Sequence, residues 1–203
     1  IKKIKKLLSD WYKKQSRNLP FRGSENPWEI LVSEIMLQQT TMETVLKRYG
    51  IFIEQFPNAE SLAKTSEQEA LKAWEGLGYY RRIKNLRKTA LICCEKFQKK
   101  LPKKYSELLE LPGIGKYTAA AISSICYKEK KPAIDGNVIR VISRLFAIEE
   151  NTDKSSGLKK IDRLALKLLD EKNPGDHNQA MMDLGAMVCT PKNPKCLSCP
   201  VSK

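Results

Sequence analysis

The segment 111–119, Leu-Pro-Gly-Ile-Gly-Lys-Tyr-Thr-Ala, has the residue types of a phosphate-binding turn. Gly113 and Gly115 follow a proline and precede a helical pattern, which predicts a tight hairpin whose N–H groups and helix N-terminus point at one place. About twenty residues on, Asp135 stands at the predicted start of another helix and supplies a fixed negative charge. A phosphate-binding turn near a single carboxylate favours a protein that carries out chemistry on a nucleic acid. The alternative is an ordinary αα-hairpin with an N-cap aspartate.

Glu34 lies in a strongly apolar helical pattern, on the face of Ile30, Leu31 and Leu37. Burial there would favour the neutral carboxylic acid, which can donate a proton near neutral pH. The other reading is a partly exposed glutamate at the edge of an amphipathic helix. A helix N-terminus, by contrast, keeps Asp135 ionised. One protonated acid and one carboxylate form the pair expected of a site that cleaves a glycosidic bond.

Two polar clusters are candidates for contact with bases. Gln38 and Gln39 end the apolar helix, and they either enter base pairs and bind base edges or form an exposed helix end. The second cluster follows the glycines of residues 76–78 and consists of Tyr79, Tyr80, Arg81 and Arg82. It fits a stacking aromatic group with phosphate-binding arginines, and it equally fits a helix C-cap with packed tyrosine. The single histidine, His177, is read as incidental.

Three cysteines near the C-terminus have the spacing of metal ligands. Cys189, Cys196 and Cys199 are separated by six and two residues in a segment rich in proline and lysine. Such a segment is poor core material, and its thiolates bind soft metals. Three ligands indicate a four-cysteine site whose last member lies beyond Lys203. The spacing leaves an iron–sulfur cluster and zinc both open. Without a secretory segment, cysteine usage indicates a reducing compartment.

Composition and periodicity then define the scaffold. The chain has 203 residues and 37 Lys and Arg against 23 Asp and Glu, a net charge of +14 that favours a polyanionic partner. No apolar run approaches the length of a membrane span. Helical periodicity dominates and strand alternation is absent, so we predict an all-α protein. Beyond an N-terminal helix with the stripe Ile4 to Tyr12, the predicted helices are about 28–37, 41–56, 59–64, 67–76, 81–99, 104–110, 116–127, 136–147, 156–171 and 177–188.

Taken together, these motifs resemble the endonuclease III-like helix–hairpin–helix base-excision DNA glycosylases, and within them the MutY family of adenine glycosylases. The matching segments are 33–40, 76–80, 111–119, 135–138 and 178–186. The resemblance implies a two-lobed all-α fold, with a central domain over 22–130 and a second lobe from 1–21 and 131–203. It also implies a 4Fe–4S cluster on the three cysteines and a fourth beyond residue 203. The expected partner is double-stranded DNA with a mismatched or oxidised base pair, bound by an intracellular monomer of the cytoplasm (nucleoid) or nucleus, with no membrane.

The resemblance also assigns roles to residues. Glu34 would protonate adenine at N7 and later help activate water, and Asp135 would stabilise the sugar cation or a covalent intermediate. Tyr117 would bear on Asp135 and the flipped base, and Asn137 would help hold this network. The substrate-binding side chains would be Gln179, Gln39 and Tyr79. The groups that contact DNA more generally would be Gln38, Arg81, Gly113, Gly115 and Lys116.

Tyr117 decides the reaction type that the resemblance implies. Bifunctional relatives such as endonuclease III have a lysine there, whose amine forms a Schiff base before strand cleavage. A phenol cannot do so, and Lys116, one residue away, is turned by about 100° around the helix. The expected product is therefore an abasic site. Thymine-mismatch glycosylases also carry Tyr here, so an alternative is a thymine-mismatch or oxidised-pyrimidine glycosylase. A catalytically inactive DNA-binding module is the alternative from another class.

Overall fold

The computed structural model describes residues 1–152 and 154–202. Regular structure in these ranges is helical, with no strand, which confirms the all-α prediction. The helices are α1 (Lys2–Gln15), α2 (Pro27–Leu37), α3 (Met42–Gln55), α4 (Ala59–Ala63), α5 (Glu67–Ala73), α6 (Arg81–Lys96), α7 (Tyr105–Leu108), α8 (Lys116–Tyr127), α9 (Gly136–Leu145), α10 (Ser155–Leu168) and α11 (Pro174–Met187), followed by a 3₁₀ turn over Cys196–Ser198. Among the described residues, no helix combines the length and apolar character needed to cross a membrane.

Local sequence explains where several of these helices begin. Asn26 precedes Pro27, and its side chain accepts a hydrogen bond of 3.0 Å from the N–H of Trp28. Ser66 and Glu69 form a reciprocal capping box at the start of α5. Such caps satisfy N–H groups that have no partner within the helix. The predicted start of α2 is thereby confirmed.

Four helix boundaries differ from the prediction by three residues: the ends of α5, α6 and α10 and the start of α11. Helix α6 ends at Lys96 rather than at residue 99, because Gln98 and Lys99 adopt φ values of 52° and 66° and the N–H of Lys99 bonds back to Cys93 O at 2.9 Å. Helix α11 starts at Pro174 rather than at residue 177. Proline suits this first position, since its fixed φ is helical and its missing N–H would have no partner there.

One compact unit comprises Asn18–Ile122. Its core contains the fully buried Trp74, whose ring meets that of Phe52 edge-on at 5.5 Å. The indole N–H of the buried Trp28 donates to Phe56 O at 2.9 Å, so this polar atom is satisfied inside the core. This unit contains α2 to α7, the hairpin turn and the first residues of α8.

The second unit comprises Ile1–Arg17 and Ser123–Lys203. In it, α11 packs on both α1 and α9. The fully buried carboxylate of Asp183 accepts hydrogen bonds from Nε and the backbone N–H of Arg17, at 2.9 and 3.1 Å. That pair attaches the end of the N-terminal segment to α11. The predicted domains, 22–130 and 1–21 with 131–203, stay a prediction, because a compact contact group need not fold alone.

Candidate active site and nucleic-acid interface

The hairpin turn between α7 and α8 presents exposed backbone. Gly113 has φ of 82°, and a Cβ there would lie 2.9 Å from Cβ of Asn85, so this position requires glycine for both reasons. Helix α6 braces the turn further, since Thr89 Oγ1 donates to Pro112 O at 2.9 Å. Gly113 and Gly115 are both exposed, and the N-terminus of α8 follows them directly. The turn can therefore offer N–H groups to a phosphate.

Gly115 and Lys116 complete this turn in different ways. A Cβ at Gly115 would meet no atom within 4 Å, so packing does not demand glycine there. Lys116 is exposed as the first residue of α8, and the next residue, Tyr117, is half-buried. The predicted DNA-binding positions of the turn thus all lie on accessible surface.

Glu34 is half-buried on α2, between the two expectations for it. Its chain neighbours Ser33 and Ile35 are buried, and the Ser33 hydroxyl bonds to Ile30 O at 2.8 Å. The helix is apolar almost throughout, so Glu34 is a partly accessible carboxyl group among apolar neighbours in sequence. This environment fits a carboxyl group that exchanges a proton with a bound molecule.

An open groove of about 710 Å³ lies at the C-terminal end of α2 and the N-terminal end of α6. Its lining brings together both predicted polar clusters: Gln38, Gln39, Tyr79, Tyr80, Arg81, Arg82 and Asn85. The side chains of Gln39 and Tyr79 are exposed, and both residues have left-handed backbone, with φ of 56° and 46°. Non-glycine residues rarely adopt this conformation, and it concentrates at functional sites.

The two arginines of this groove have different environments. Arg81 is exposed and free to meet a phosphate. Arg82 is buried, and its guanidinium donates to protein oxygens on both sides of the groove. Burial lowers the pKa of the Arg82 guanidinium from its ordinary value. The reading of both arginines as phosphate ligands is therefore wrong for Arg82, because both of its amino groups already donate to oxygens inside the protein.

Asp135 is the N-cap of α9, as the sequence predicts. One carboxylate oxygen accepts from the N–H of Val138 at 2.8 Å, and the other accepts from Nδ2 of Asn137 at 2.7 Å. These two hydrogen bonds fix the orientation of the carboxyl group. Asp135 is half-buried, so the charge is held in a fixed orientation while one side stays accessible.

Arg140 holds Asn137 in the orientation that this network needs. Its Nη2 donates to Asn137 Oδ1 at 2.7 Å and to Gly185 O at 2.8 Å. With its oxygen occupied by a cation, the Asn137 amide can only turn its NH₂ group to Asp135. Nε of Arg140 also donates to Cys189 O at 2.7 Å. A chain of hydrogen bonds therefore connects Asp135 to the backbone of the first cysteine.

Helix α11 contributes buried polar side chains to the same unit. Gln179 is 7% exposed, which places the predicted base-contacting amide inside the protein surface. Its neighbour Asn178 is 3% exposed and accepts from the N–H of Ala133 at 3.1 Å while donating to Lys131 O at 2.8 Å. Asn178 thereby fixes the segment that leads into Asp135.

The three C-terminal cysteines are free thiols. Cys189 and Cys199 are half-buried and Cys196 is exposed, and Nη1 of Arg144 lies 3.5 Å from the Cys189 sulfur. Reduced thiols suit a soft metal, but no three His, Cys, Asp or Glu side chains among residues 1–152 and 154–202 are placed to hold one. The three thiols are not grouped around one point in the structure, so the 4Fe–4S cluster stays a prediction. Burial raises the pKa of the Cys93 thiol to about 12, as expected for a packing residue.

The structure thus places the candidate residues in two sets, one in each unit. Residues 18–122 contain Glu34, the groove, the hairpin turn and Tyr117, and the other unit contains Asp135, Asn137, Gln179 and the cysteines. Sequence reasoning missed Arg140 as a partner of the site. The signal available was the spacing of Asn137 and Arg140, since residues three apart share a helix face.

Comparison with known proteins gives the family. Residues 32–167 match the HhH-GPD superfamily, described as base excision DNA repair proteins. An adenine DNA glycosylase of Buchnera aphidicola subsp. Schizaphis graminum is 41% identical over 196 residues, which cover 96% of this chain and 56% of that protein. The chain spans between 36% and 57% of the length of the curated relatives it matches.

Solved structures agree on the fold. The structure of a thermostable thymine-DNA glycosylase has a TM-score of 0.89 at 30% identity and covers 98% of this chain and 91% of its own. A non-covalent endonuclease III–DNA complex has a TM-score of 0.80 at 23% identity, with 98% and 92% covered. The match to the family extends over most of the chain, including the hairpin turn and Asp135. The chain belongs to the HhH-GPD superfamily of base excision DNA repair proteins.

Proposed function

We propose that this protein is a monofunctional DNA glycosylase that removes adenine mispaired with 8-oxoguanine or guanine. The observation that carries the proposal is the 41% identity to an adenine DNA glycosylase over nearly the whole chain. The geometry supports the chemistry, since Asp135 is an oriented, hydrogen-bonded carboxylate and Glu34 is a half-buried carboxyl on an apolar helix.

The reaction uses two carboxyl groups, those of Glu34 and Asp135. Glu34 gives its proton to N7 of a flipped adenine, and the C1′–N9 bond breaks with its electron pair leaving on the base. The Asp135 carboxylate stabilises the positive charge that develops on the sugar. Glu34, now ionised, takes a proton from water as its oxygen bonds to C1′, which regenerates the acid. Asn137 keeps the Asp135 oxygens in place, and Gln179 contacts the extruded base.

DNA binding in this proposal uses backbone and side-chain groups of residues 18–122. The exposed turn at Gly113, Gly115 and Lys116 binds a phosphate, and the charge of +14 favours any polyanion. Gln39 and Tyr79 enter the duplex near the lesion, with Gln38 and Arg81 beside them. The proposed partner is double-stranded DNA, and the endonuclease III structure of the same fold is a complex with DNA. The protein acts as an intracellular monomer.

Strand cleavage is not part of the proposed reaction. Tyr117 offers no amine, and Lys116 lies on the exposed side of the first turn of α8. We further propose that Cys189, Cys196 and Cys199 supply three ligands of a 4Fe–4S cluster. The reaction above is independent of that group.

Thymine is the competing target base. The 30% identity and TM-score of 0.89 to a thymine-DNA glycosylase favour this second candidate over other members of the superfamily. The two candidates share the fold and the sugar chemistry, so the released base must separate them.

A single-turnover assay tests the proposal. The full chain is incubated with duplexes that carry adenine opposite 8-oxoguanine, thymine opposite guanine, or an oxidised pyrimidine, and the strands are resolved with and without alkali. We expect an alkali-dependent break only at adenine, at a rate that Glu34→Gln lowers by at least about 100-fold, the usual range for a general acid. Glu43→Gln, which alters an exposed glutamate with a side chain 80% accessible, is the matched control and leaves the rate unchanged.

Each other outcome excludes part of the proposal. Release of thymine without release of adenine would show that the protein is a thymine-DNA glycosylase, the second candidate. Breaks without alkali contradict monofunctional action. Binding without any product from a folded sample identifies a DNA-binding module.

A further inference from the structure

Arg82 is a buried cation without a carboxylate partner among residues 1–152 and 154–202. It is 8% exposed, and each of its hydrogen bonds goes to a carbonyl or hydroxyl oxygen. Nη1 donates to Ile35 O at 2.9 Å, to Met36 O at 2.8 Å and, at a shorter distance, to Gln38 O. Buried charges are costly unless such acceptors compensate them, so this arrangement needs a reason beyond core packing.

The other amino group of Arg82 reaches a second segment. Nη2 donates to Thr40 Oγ1 and to Leu77 O, both at 2.8 Å, and to Gly78 O at 3.2 Å. Thr40 Oγ1 also bonds to Leu77 O at 3.2 Å. One guanidinium therefore connects the C-terminal end of α2 with the turn that precedes α6.

The two connected segments each carry one exposed side chain on left-handed backbone. The acceptors Gln38 O and Thr40 Oγ1 flank Gln39, and Gly78 O directly precedes Tyr79. Such backbone is strained at a non-glycine residue and persists only where surrounding contacts hold it. The guanidinium carbon also lies 5.5 Å from the centre of the Tyr79 ring. Arg82 is thus in contact with both strained segments at once.

We propose that Arg82 is a positioning residue that holds Gln39 and Tyr79 as one rigid pair, so that both side chains enter the DNA duplex together at a lesion. The inference rests on the proposed function, which places these two side chains in DNA. A planar guanidinium with two separate amino groups can hold two segments, whereas a lysine ammonium presents its donors from a single atom. Arg82→Lys therefore keeps the positive charge but removes the simultaneous hydrogen bonds to the two segments.

The experiment compares Arg82→Lys with Arg87→Lys. Arg87 lies on the same helix and donates from Nε to a single carbonyl, Thr65 O at 2.8 Å, so the same substitution is made outside the groove. Affinity is measured for a duplex with a non-cleavable tetrahydrofuran abasic-site analogue and for the intact duplex of the same sequence. A 2-aminopurine next to the analogue reports unstacking by its fluorescence.

We expect Arg82→Lys to weaken binding of the analogue duplex by at least about tenfold and to lower the fluorescence increase, with binding of the intact duplex within twofold. Arg87→Lys leaves all three readings unchanged. Thr40→Ala removes one acceptor of Arg82 and also the hydrogen bond from Thr40 to Leu77 O. We expect it to reduce the ratio of the affinity for the analogue duplex to the affinity for the intact duplex by about threefold. It decides the question if Arg82→Lys does not fold.

The proposal is overturned if Arg82→Lys, or Thr40→Ala, lowers the melting temperature but leaves the ratio of the two affinities unchanged. A purely structural residue gives that result. The readings do not require adenine excision. If the protein releases no adenine but Arg82→Lys lowers the ratio of the two affinities, the proposed function fails and the positioning role stands.

Discussion

At the scale of single residues, Asp135 has two roles that one substitution can separate. As the N-cap of α9 it accepts from the N–H of Val138, and as a carboxylate it supplies charge to the proposed reaction. Asparagine caps helices about as well as aspartate but carries no charge. We expect Asp135→Asn to change the free energy of unfolding by less than about 0.5 kcal/mol and to lower single-turnover excision at least about 100-fold.

Asp135→Ala completes that comparison. It removes both the cap and the charge, so we expect a loss of about 1 kcal/mol in unfolding free energy together with the same loss of excision. Denaturant unfolding and the strand-break assay measure the two effects. If Asp135→Asn destabilises the protein as much as Asp135→Ala does, the carboxylate is mainly structural and its assignment to the reaction is contradicted.

The cap at Asp135 could be predicted from sequence, and its partners in space could not. A polar residue before a strong apolar stripe is a local signal, readable from the residues that follow it. The contact of Arg140 with Gly185 O joins positions 45 apart in the chain through a main-chain oxygen, which every residue possesses. Arg82 shows the same limit, because five of its six acceptors are carbonyls without a sequence signature.

At the scale of helices, the close packing of α9 against α11 depends on glycine at position 185. A Cβ at Gly185 would lie 2.6 Å from Cβ of Asn137 and 3.1 Å from its backbone, so a methyl group must push the helices apart. We expect Gly185→Ala to lower the free energy of unfolding by about 1–3 kcal/mol. Because the displaced neighbour is Asn137, excision should fall as well.

Gly50 is the matched control for that substitution. It lies inside α3, and a Cβ there would meet nothing within 4 Å. Alanine is the better helix former, so Gly50→Ala should raise the free energy of unfolding by about 0.5–1 kcal/mol. Opposite signs in the two variants, measured by denaturant unfolding, are the expected result. Equal effects would show that α9 and α11 are not packed at this glycine.

Helix positions followed from local patterns to within three residues at α6 and α11. Apolar periodicity and the prolines supplied the limits, as at Pro27. The end of α6 was missed because Gln98 and Lys99, neither of them glycine, adopt left-handed backbone. Residues with ordinary helix propensity give no warning of such an ending, which is decided by the bond back to Cys93 O.

At the scale of the whole molecule, the chain leaves one compact unit at residue 17, builds the unit of residues 18–122, and returns to the starting unit at residue 123. Residues 1–17 share a unit with residues 123–203, and the bond between Arg17 and Asp183 joins positions 166 apart. Periodicity within a helix contains no information on such pairings. The prediction that the N-terminal segment joins the C-terminal part of the chain came from the family resemblance, because a combination of motifs indicates a whole fold and a single pattern does not.

Acid stability of the molecule should depend on His177, the residue that the sequence reading set aside. His177 is 7% exposed on α11, and burial lowers its pKa to about 4, against the opposing attraction of Asp170. It borders a small cavity with Lys5, Lys13 and Asp176. Of these neighbours, Lys5 further lowers the pKa of the imidazole by charge repulsion.

The sign of the effect follows from proton binding in the two states. Between pH 6.5 and about 4 the unfolded chain binds a proton at His177 and the folded protein does not, so stability is lost as the pH falls. From pH 6.5 to 5 we expect wild type to lose about 2 kcal/mol of unfolding free energy more than His177→Gln, which has no imidazole to titrate. Denaturant unfolding of both proteins at several pH values measures the difference. Parallel curves would mean that the folded protein protonates His177 as readily as the unfolded chain, and that α11 does not exclude water from the imidazole.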